Sequence, residues 1–172
     1  MDDASYRRIL SLRAVRHFTD RPLDPQHLEM ILEAARWTGS AKNRQDWSFV
    51  VVDDPQVKAA VAATGDFTDP LRRAPVAILI VEEPGGYEFD SGRLAQNIML
   101  AADAVGVATC PVTLHRHHDT ATVVGLPEDR RCRFAIALGY AAARSGRSPY
   151  GGRKPPAQLI HRNRYRPSAG TE

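Results

Sequence analysis

Residues 38–47 read Thr-Gly-Ser-Ala-Lys-Asn-Arg-Gln-Asp-Trp, which sets Ser40, Lys42, Asn43, Arg44 and Gln45 almost side by side. Hydroxyls and amides both donate and accept, so this set suits a ligand edge that itself alternates donors and acceptors. An amphipathic helix precedes the stretch and the apolar run 47–52 comes after it, so it is a helix-to-strand loop. Loops are polar by default. A solvated loop is therefore the competing interpretation, and the rest of the chain has to decide.

Two further groups carry charge that could hold an anion. Arg13 and Arg16 are three apart, so at a helix end they would point the same way and converge on one anion; otherwise they are solvated arginines beside Val15 and Phe18. After Gly139, Arg144, Arg147, Arg153, Lys154, Arg162, Arg164 and Arg166 are set against one acid, Glu172. The segment Gly152-Arg153-Lys154-Pro155 either brings a cation back onto a terminal phosphate or is part of a solvated basic tail. Other chemistry is poorly represented. His115, His117, His118 and Asp119 match no standard zinc spacing, so no metal is expected. There is no Gly-x-Ser-x-Gly elbow, no glycine-rich phosphate turn after a strand, and no carboxylate pair placed for acid–base work. Cys110, beside Pro111 in an apolar run, reads as core rather than nucleophile. If the chain catalyses a reaction, a bound cofactor carries it.

At 172 residues and 43% hydrophobic, residues 1–172 are expected to form one globular domain with a sizeable core. A net charge of +3 and a pI near 9.1 suit a small anionic ligand. The basic residues are not interleaved with aromatics, so nucleic acid is not an expected partner. Cys110 and Cys132 read as reduced, buried, intracellular cysteines. The chain opens Met1-Asp2-Asp3 with no apolar h-region, so no signal peptide is expected, and the run 74–81 is too short to span a bilayer. A cytoplasmic protein with no membrane partner is the expectation.

The elements that must position these groups can be read from periodicity. Residues 5–11 form a helix with Tyr6, Ile9 and Leu10 on one face. Asp24-Pro25 opens a second helix whose inner face is Leu28, Ile31, Leu32 and Ala35, ended by Gly39. Strand 49–52 runs into Asp53-Asp54-Pro55, which caps a short helix to about Ala63. Strand 76–81 precedes a helix capped by Asp90 or Ser91 and closed by Gly106, with Leu94, Ile98, Ala101, Ala102 and Val105 inside. Its small residues Ala101, Ala102 and Ala104 permit close packing against another helix or a symmetry mate. Strand 108–112 is broken by Pro111, and helix 119–124 and strand 133–138 come after it.

In order and spacing, several segments together resemble the FMN-dependent nitroreductase family. They are Arg13-Ala14-Val15-Arg16-His17-Phe18, Ile31-Leu32-Glu33-Ala34-Ala35-Arg36, the loop from Gly39-Ser40 to Trp47, Ala95-Gln96-Asn97, residues 106–114, Leu138-Gly139-Tyr140 and Arg153-Lys154-Pro155. The resemblance implies an α+β fold, a central, mostly antiparallel sheet flanked by helices, in a domain-entwined homodimer with FMN at the interface and NADH or NADPH as co-substrate. It implies that Arg13, the Ala14 backbone, Arg16 and Arg153 or Lys154 hold the phosphate and pyrimidine side from one protomer. Ser40, Ala41, Asn43 and Gln45 would come from the other protomer. Pro111, Val112, Thr113 and Leu114 would lie along the ring, with the amides of Thr113 and Leu114 near N5 and O4. A cation such as Arg16 near N1 and O2 would favour the reduced, anionic cofactor. The basic segment from about 144 to 172 would reach the phosphate or the partner. Leu12 and Ala14 stand where many members carry arginine and serine, and Gly39 and Asp46 replace prolines. Lys42 and Arg44 are the residues placed to supply the charge that Leu12 lacks. The stretch between Gly65 and Gly92 is too short for the helices that cover the flavin in larger members, which implies an open site.

Three functions are compatible with this reading. The first is an NAD(P)H-driven reductase of nitro- or quinone-type small molecules working by ping-pong hydride transfer. The second is a flavin-dependent dehydrogenase or oxidase of a natural product. The third is a protein that binds or sequesters flavin without turnover.

Overall fold

Four apolar segments pair into one sheet in the computed structural model of the chain, which describes residues 4–142 and 152–165. They are β1 (Trp47–Val52), β2 (Val76–Glu82), β3 (Ala108–Thr113) and β4 (Arg131–Gly139). Their order is β1-β2-β4-β3, and all three ladders are antiparallel. Alternating strands and helices usually signal a parallel sheet. Here β1 and β2 are joined by two short helices, α3 (Pro55–Ala63) and α4 (Asp69–Arg73), so the chain comes back antiparallel. Only the first of these two helices was expected from periodicity.

Helices cover both faces, which is why β2 reads as an unbroken apolar run and is buried throughout. Ala77, Leu79 and Val81 of β2 face Val61 of α3 and Leu71 of α4. Val76, Ile78 and Ile80 face the other way. They meet Ile31 and Ala35 of α2 (Pro25–Arg36) and Leu94, Ile98 and Ala102 of α5 (Glu88–Ala104). Successive residues of a strand alternate in this way. The sheet is thus a middle layer, with α6 (His117–Val124) beside α3.

Several helix ends form as expected. The carboxylate of Asp24 accepts from the Gln26 N–H at 2.9 Å, and that of Asp54 accepts from the Gln56 and Val57 N–H groups at 2.7 and 2.9 Å. Gly106 adopts φ +75°, and beyond it Val107 N–H reaches back to Ala102 C=O at 2.8 Å, a left-handed helix stop. Other expectations are corrected. Helix α2 stops at Arg36, before Gly39: the backbone leaves helical geometry at Trp37, and the Thr38 N–H closes the shorter way onto Ala35 C=O at 3.0 Å. Helix α5 begins at Glu88, and the Ser91 hydroxyl donates to buried Glu82 instead of capping. Strand β3 runs through Pro111, since it is an edge strand and an outward-facing N–H can be dispensed with there.

The N-terminal arginines are also corrected. Helix α1 (Ala4–Ser11) ends before Arg13, and the chain then extends along β3, bridging Ala14 to Thr109. Helical spacing therefore does not relate Arg13 to Arg16. Tyr6, Ile9 and Leu10 do share a helix, but all three are exposed. Among the described residues no helix is long and apolar enough to cross a membrane. Arg144, Arg147, Arg166 and the acid Glu172 lie outside the described residues.

Candidate functional site

The outer edge of β3 beyond Thr109 is the wall of a cavity of about 480 Å³, lined by Arg16, Asp66, Phe67, Asp69, Cys110, Pro111, Val112, Thr113 and His115 among others. On an antiparallel edge strand, both backbone groups of alternate residues point outward. Thr109 C=O accepts from the Val15 N–H at 2.7 Å and so faces outward, whereas Leu114 N–H donates inward to Arg133 C=O at 2.8 Å. Pro111 and Thr113 share the phase of Thr109. Thr113 therefore presents an outward amide, while Leu114 is buried with its amide already engaged. Of the two amides expected at a ring edge, the structure leaves the first available and commits the second to the sheet. On the other side of Pro111, Val112 and Thr113 lies a second hollow of about 390 Å³, reaching Glu88, Gly92 and Ala95 of α5.

Arg16 is exposed and enters this cavity. Cys110 lies beneath it; burial pushes its thiol up, and Arg16 pulls the other way. Both cysteines are free and buried, and Cys132 is pushed up to about 12 by burial first. Arg13 is elsewhere. Its guanidinium donates to Leu10 C=O at 2.8 Å and Leu12 C=O at 2.7 Å, covering carbonyls at the end of α1. Arg13 and Arg16 do not converge within the chain.

Residues 40–45 form a strained turn at the opposite edge of the sheet, leading into β1. Lys42, Asn43 and Gln45 each have φ +54°, a left-handed conformation that costs non-glycine residues about 1–2 kcal/mol. Asparagine tolerates it, but lysine and glutamine do not favour it. The surroundings hold the turn in place. Gln45 N–H donates to Ser40 Oγ at 2.9 Å, and Gln45 Nε2 to Asn43 C=O at 3.3 Å. The Arg44 guanidinium pairs with Asp46 at 2.7 Å, donates to Gly85 C=O at 2.9 Å and sits 5.7 Å from the Tyr87 ring. Arg44 is thus committed to the loop and is not a spare charge. Gly85 has to be glycine: its φ is +83°, and a Cβ there would meet the Arg44 guanidinium at 2.5 Å. Arg93 of α5 also bonds Gly39 C=O. Ser40, Ala41 and Asn43 lie at the surface of this turn.

Within one chain these groups do not meet. Strands β1 and β3 are three inter-strand steps apart, about 14 Å at the usual spacing. Arg153 and Lys154 are exposed just before α7 (Pro156–Leu159), and neither lines the cavity at β3.

Sequence reasoning missed the other bank of that cavity, the turn between α3 and α4. Arg116 Nη1 donates to Asp66 at 2.7 Å, and its Nη2 to Ala63 C=O at 2.8 Å. The bond from Arg116 holds the Asp66 carboxyl below its ordinary range, and His115 acts in the same direction. A signal was present: Gly65-Asp66-Phe67-Thr68-Asp69-Pro70 places one aromatic in a polar turn. The histidines serve separately. His115 faces Asp66 at 3.7 Å, while His117 and His118 stack on each other with ring centres 4.3 Å apart. Among the described residues no three His, Cys, Asp or Glu side chains gather around one point.

The model of the Nitroreductase family matches residues 9–64 and 67–140. This chain belongs to the nitroreductase family. Among curated relatives, it is 27% identical to the oxygen-insensitive NADPH nitroreductase of Salmonella typhimurium, over 90% of this chain and 72% of that protein. It is 26% identical to an FMN reductase (NADPH) of Bacillus subtilis, over 91% and 72%. The nitroreductase A structure from Vibrio parahaemolyticus superposes with a TM-score of 0.87 at 24% identity, covering 96% of this chain and 78% of that one. An FMN-dependent nitroreductase from Clostridium difficile gives 0.81 at 20% identity, covering 92% and 98%. These likenesses give the same fold, an antiparallel sheet between helices.

Proposed function

We propose that this nitroreductase-family chain is an FMN-dependent oxidoreductase that takes electrons from NADH or NADPH and passes them to small electron-accepting molecules such as quinones and nitroaromatics. The observation that carries this reading is that two incomplete halves of a site lie on opposite sheet edges. One half has a cation, Arg16, and an outward amide, Thr113, around a cavity at β3. The other is a strained turn at β1 carrying Ser40, Asn43 and Gln45. A second copy of the chain supplies the second half, so the functional unit is a homodimer. The apolar face of α1 supports this, since Tyr6, Ile9 and Leu10 stand exposed. So does a hollow of about 330 Å³ between α1, α2 and α5, walled by Ile9, Ala34, Leu100 and Ala101.

The donor set fits FMN. Arg16 would set a fixed positive charge at the pyrimidine side, and the Thr113 amide would offer one hydrogen bond to the ring edge. Pro111 and Val112 would lie along the ring. Ser40 Oγ, the Ala41 backbone and the Asn43 and Gln45 amides would read the ring from the partner. Arg153 and Lys154 would neutralise the terminal phosphate. When bound, FMN supplies hydride acceptance from the nicotinamide and electron delivery to the second substrate, in ping-pong order. The chain's own part would be to orient the ring and leave one side open, as the short stretch between Gly65 and Gly92 allows.

The test is the purified protein itself. It is expected to be yellow, to release FMN and not FAD on denaturation, to bleach with anaerobic NADH or NADPH, and to scatter light as a dimer. FAD in the supernatant, no flavin after reconstitution, or a monomer holding stoichiometric FMN would each overturn part of the reading. A flavin that no nicotinamide bleaches would favour sequestration.

A further inference from the structure

The backbone of the cavity at β3 is short of hydrogen-bond donors. Pro111 has no N–H, and the Leu114 N–H donates inward to Arg133 C=O, which leaves the outward amide of Thr113. Asp66 and Asp69 accept only when ionised. The buried Cys110 thiol is turned to the Pro111 carbonyl. His115 is different. It lines the cavity with its side chain 41% exposed. The Asp66 N–H donates to its Nδ1 at 3.2 Å, so Nδ1 is an acceptor and the neutral ring carries its proton on Nε2. The Asp66 carboxylate stands 3.7 Å from the same nitrogen, too far for a hydrogen bond, and its other oxygen takes the Arg116 bond at 2.7 Å. Phe67 meets the imidazole edge-on, with ring centres 6.4 Å apart. Among the described residues no hydrogen bond reaches Nε2. The backbone on either side of this ring is held. The Leu114 N–H bonds Arg133 C=O and the Arg116 N–H bonds Thr64 C=O, both at 2.8 Å. One nitrogen of His115 is thus committed to the α3–α4 turn, and the other is an unspent donor at a cavity.

We propose that His115 is the side-chain donor of this site, its Nε2–H bonding a conjugated carbonyl oxygen of the ring that enters the cavity. The inference rests on the cavity at β3 being the pocket of the proposed flavin site. A conjugated carbonyl is present on the cofactor's pyrimidine ring and on a quinone substrate alike, and the two sources are separable by experiment. The Asp66 amide sets which nitrogen carries the proton, so the donor is fixed before the ligand arrives and no tautomer has to change on binding. The bond is neutral and directional, no proton is transferred, and His115 acts on binding and orientation only.

The experiment compares wild type with His115→Asn and His115→Gln, which divide the two nitrogens. The shorter amide falls near the place of Nδ1 and can accept from Asp66, whereas the longer one falls near the place of Nε2 and can donate. The Kd of FMN is read by fluorescence titration of the flavin-free protein. The Kd of duroquinone is read by calorimetry without a reductant, so that it binds and does not turn over; its methylated ring leaves no position for thiol addition. His115→Asn is expected to weaken the ligand whose carbonyl it meets about two- to tenfold, the range of one neutral bond, with His115→Gln within about twofold of wild type. A loss for FMN assigns the bond to the cofactor, and a loss for duroquinone alone assigns it to the substrate. A loss for neither overturns the proposal. If His115→Gln lost as much as His115→Asn or more, His115 would be a support for the Asp66 turn and the proposal would be wrong. Nitrogen-15 NMR of the flavin-free wild type in alkaline buffer reads the tautomer with no ligand present; the proton is expected on Nε2, and a proton on Nδ1 would overturn the inference. A wild type that bound duroquinone but no FMN would remove the flavin reading alone, with the duroquinone losses still deciding on His115. A wild type that bound neither would remove both.

Discussion

Arg44→Ala separates the geometry of the candidate loop from its stability. The Arg44 guanidinium makes an ion pair with Asp46, the two side chains being 40% and 25% exposed, and such a pair is worth about 0.5 kcal/mol. Its bond to Gly85 C=O, discounted for exposure, adds about 1 kcal/mol, and the Tyr87 contact about 0.5 kcal/mol. The clamp thus contributes about 2 kcal/mol. Against it stand Lys42 and Gln45, whose left-handed backbones together store about 2–4 kcal/mol, Asn43 adding little. The two quantities nearly cancel. Without the clamp the turn relaxes, and the strain it releases offsets most of the lost contacts. The expected loss of global stability is under about 1 kcal/mol, a fall in Tm of about 2–4 °C at most for a chain of this size. FMN, in contrast, has to restore the turn from its own binding energy. Its Kd should rise about thirtyfold, the equivalent of about 2 kcal/mol. Thermal melts of the flavin-free protein and fluorescence titration with FMN give the two numbers. A Tm drop of about 4–8 °C with an unchanged Kd would refute the reasoning, because the clamp would then hold the fold and not a site.

Two other predictions bear on the same surfaces. Arg153→Ala should weaken FMN more than Asn43→Ala, since a bond to a charged group is worth about 1.5–3 kcal/mol and a neutral one about 0.5–1.5 kcal/mol; riboflavin, lacking the phosphate, should bind Arg153→Ala and wild type alike. Equal losses for riboflavin and FMN would remove Arg153 from the phosphate. The Asp66 carboxyl is held below its ordinary value of 3.8 by Arg116, so its contribution is present above that pH and is lost as pH falls through the lower, folded value. The stability difference between wild type and Asp66→Asn should therefore be flat from about pH 5 to 8 and shrink below about pH 4, as read by thermal melts; a difference that grew on acidification would show that the Arg116 bond is not its source.

Much of the architecture was legible in the chain because it depends on local chemistry. Asp24-Pro25 and Asp54-Pro55 can cap only the helix on their C-terminal side, and Gly106 can stop only the helix on its N-terminal side. The run 76–81 is apolar at every position because both faces of β2 are covered, and that period needs no partner to be seen. The family is likewise a property of motif order, and the match over residues 9–64 and 67–140 spans the same segments up to Tyr140. Long-range pairing decided the rest. Whether Pro111 breaks a strand or ends a sheet depends on which strand is outermost, and only the order β1-β2-β4-β3 settles it. Arg13 and Arg16 look like a pair by spacing. They part because α1 ends at Ser11 and the chain then lies along β3, and no local signal records that. Arg44 looks like spare charge until Gly85 and Asp46 are brought beside it. The turn that carries Phe67 is tied to Arg116 and His115, some fifty residues away. Residue type fixes what a side chain can do, and the sheet edge on which it lands fixes what it can do it to. The two halves of the candidate site lie on opposite edges, so one chain carries every group but not their meeting.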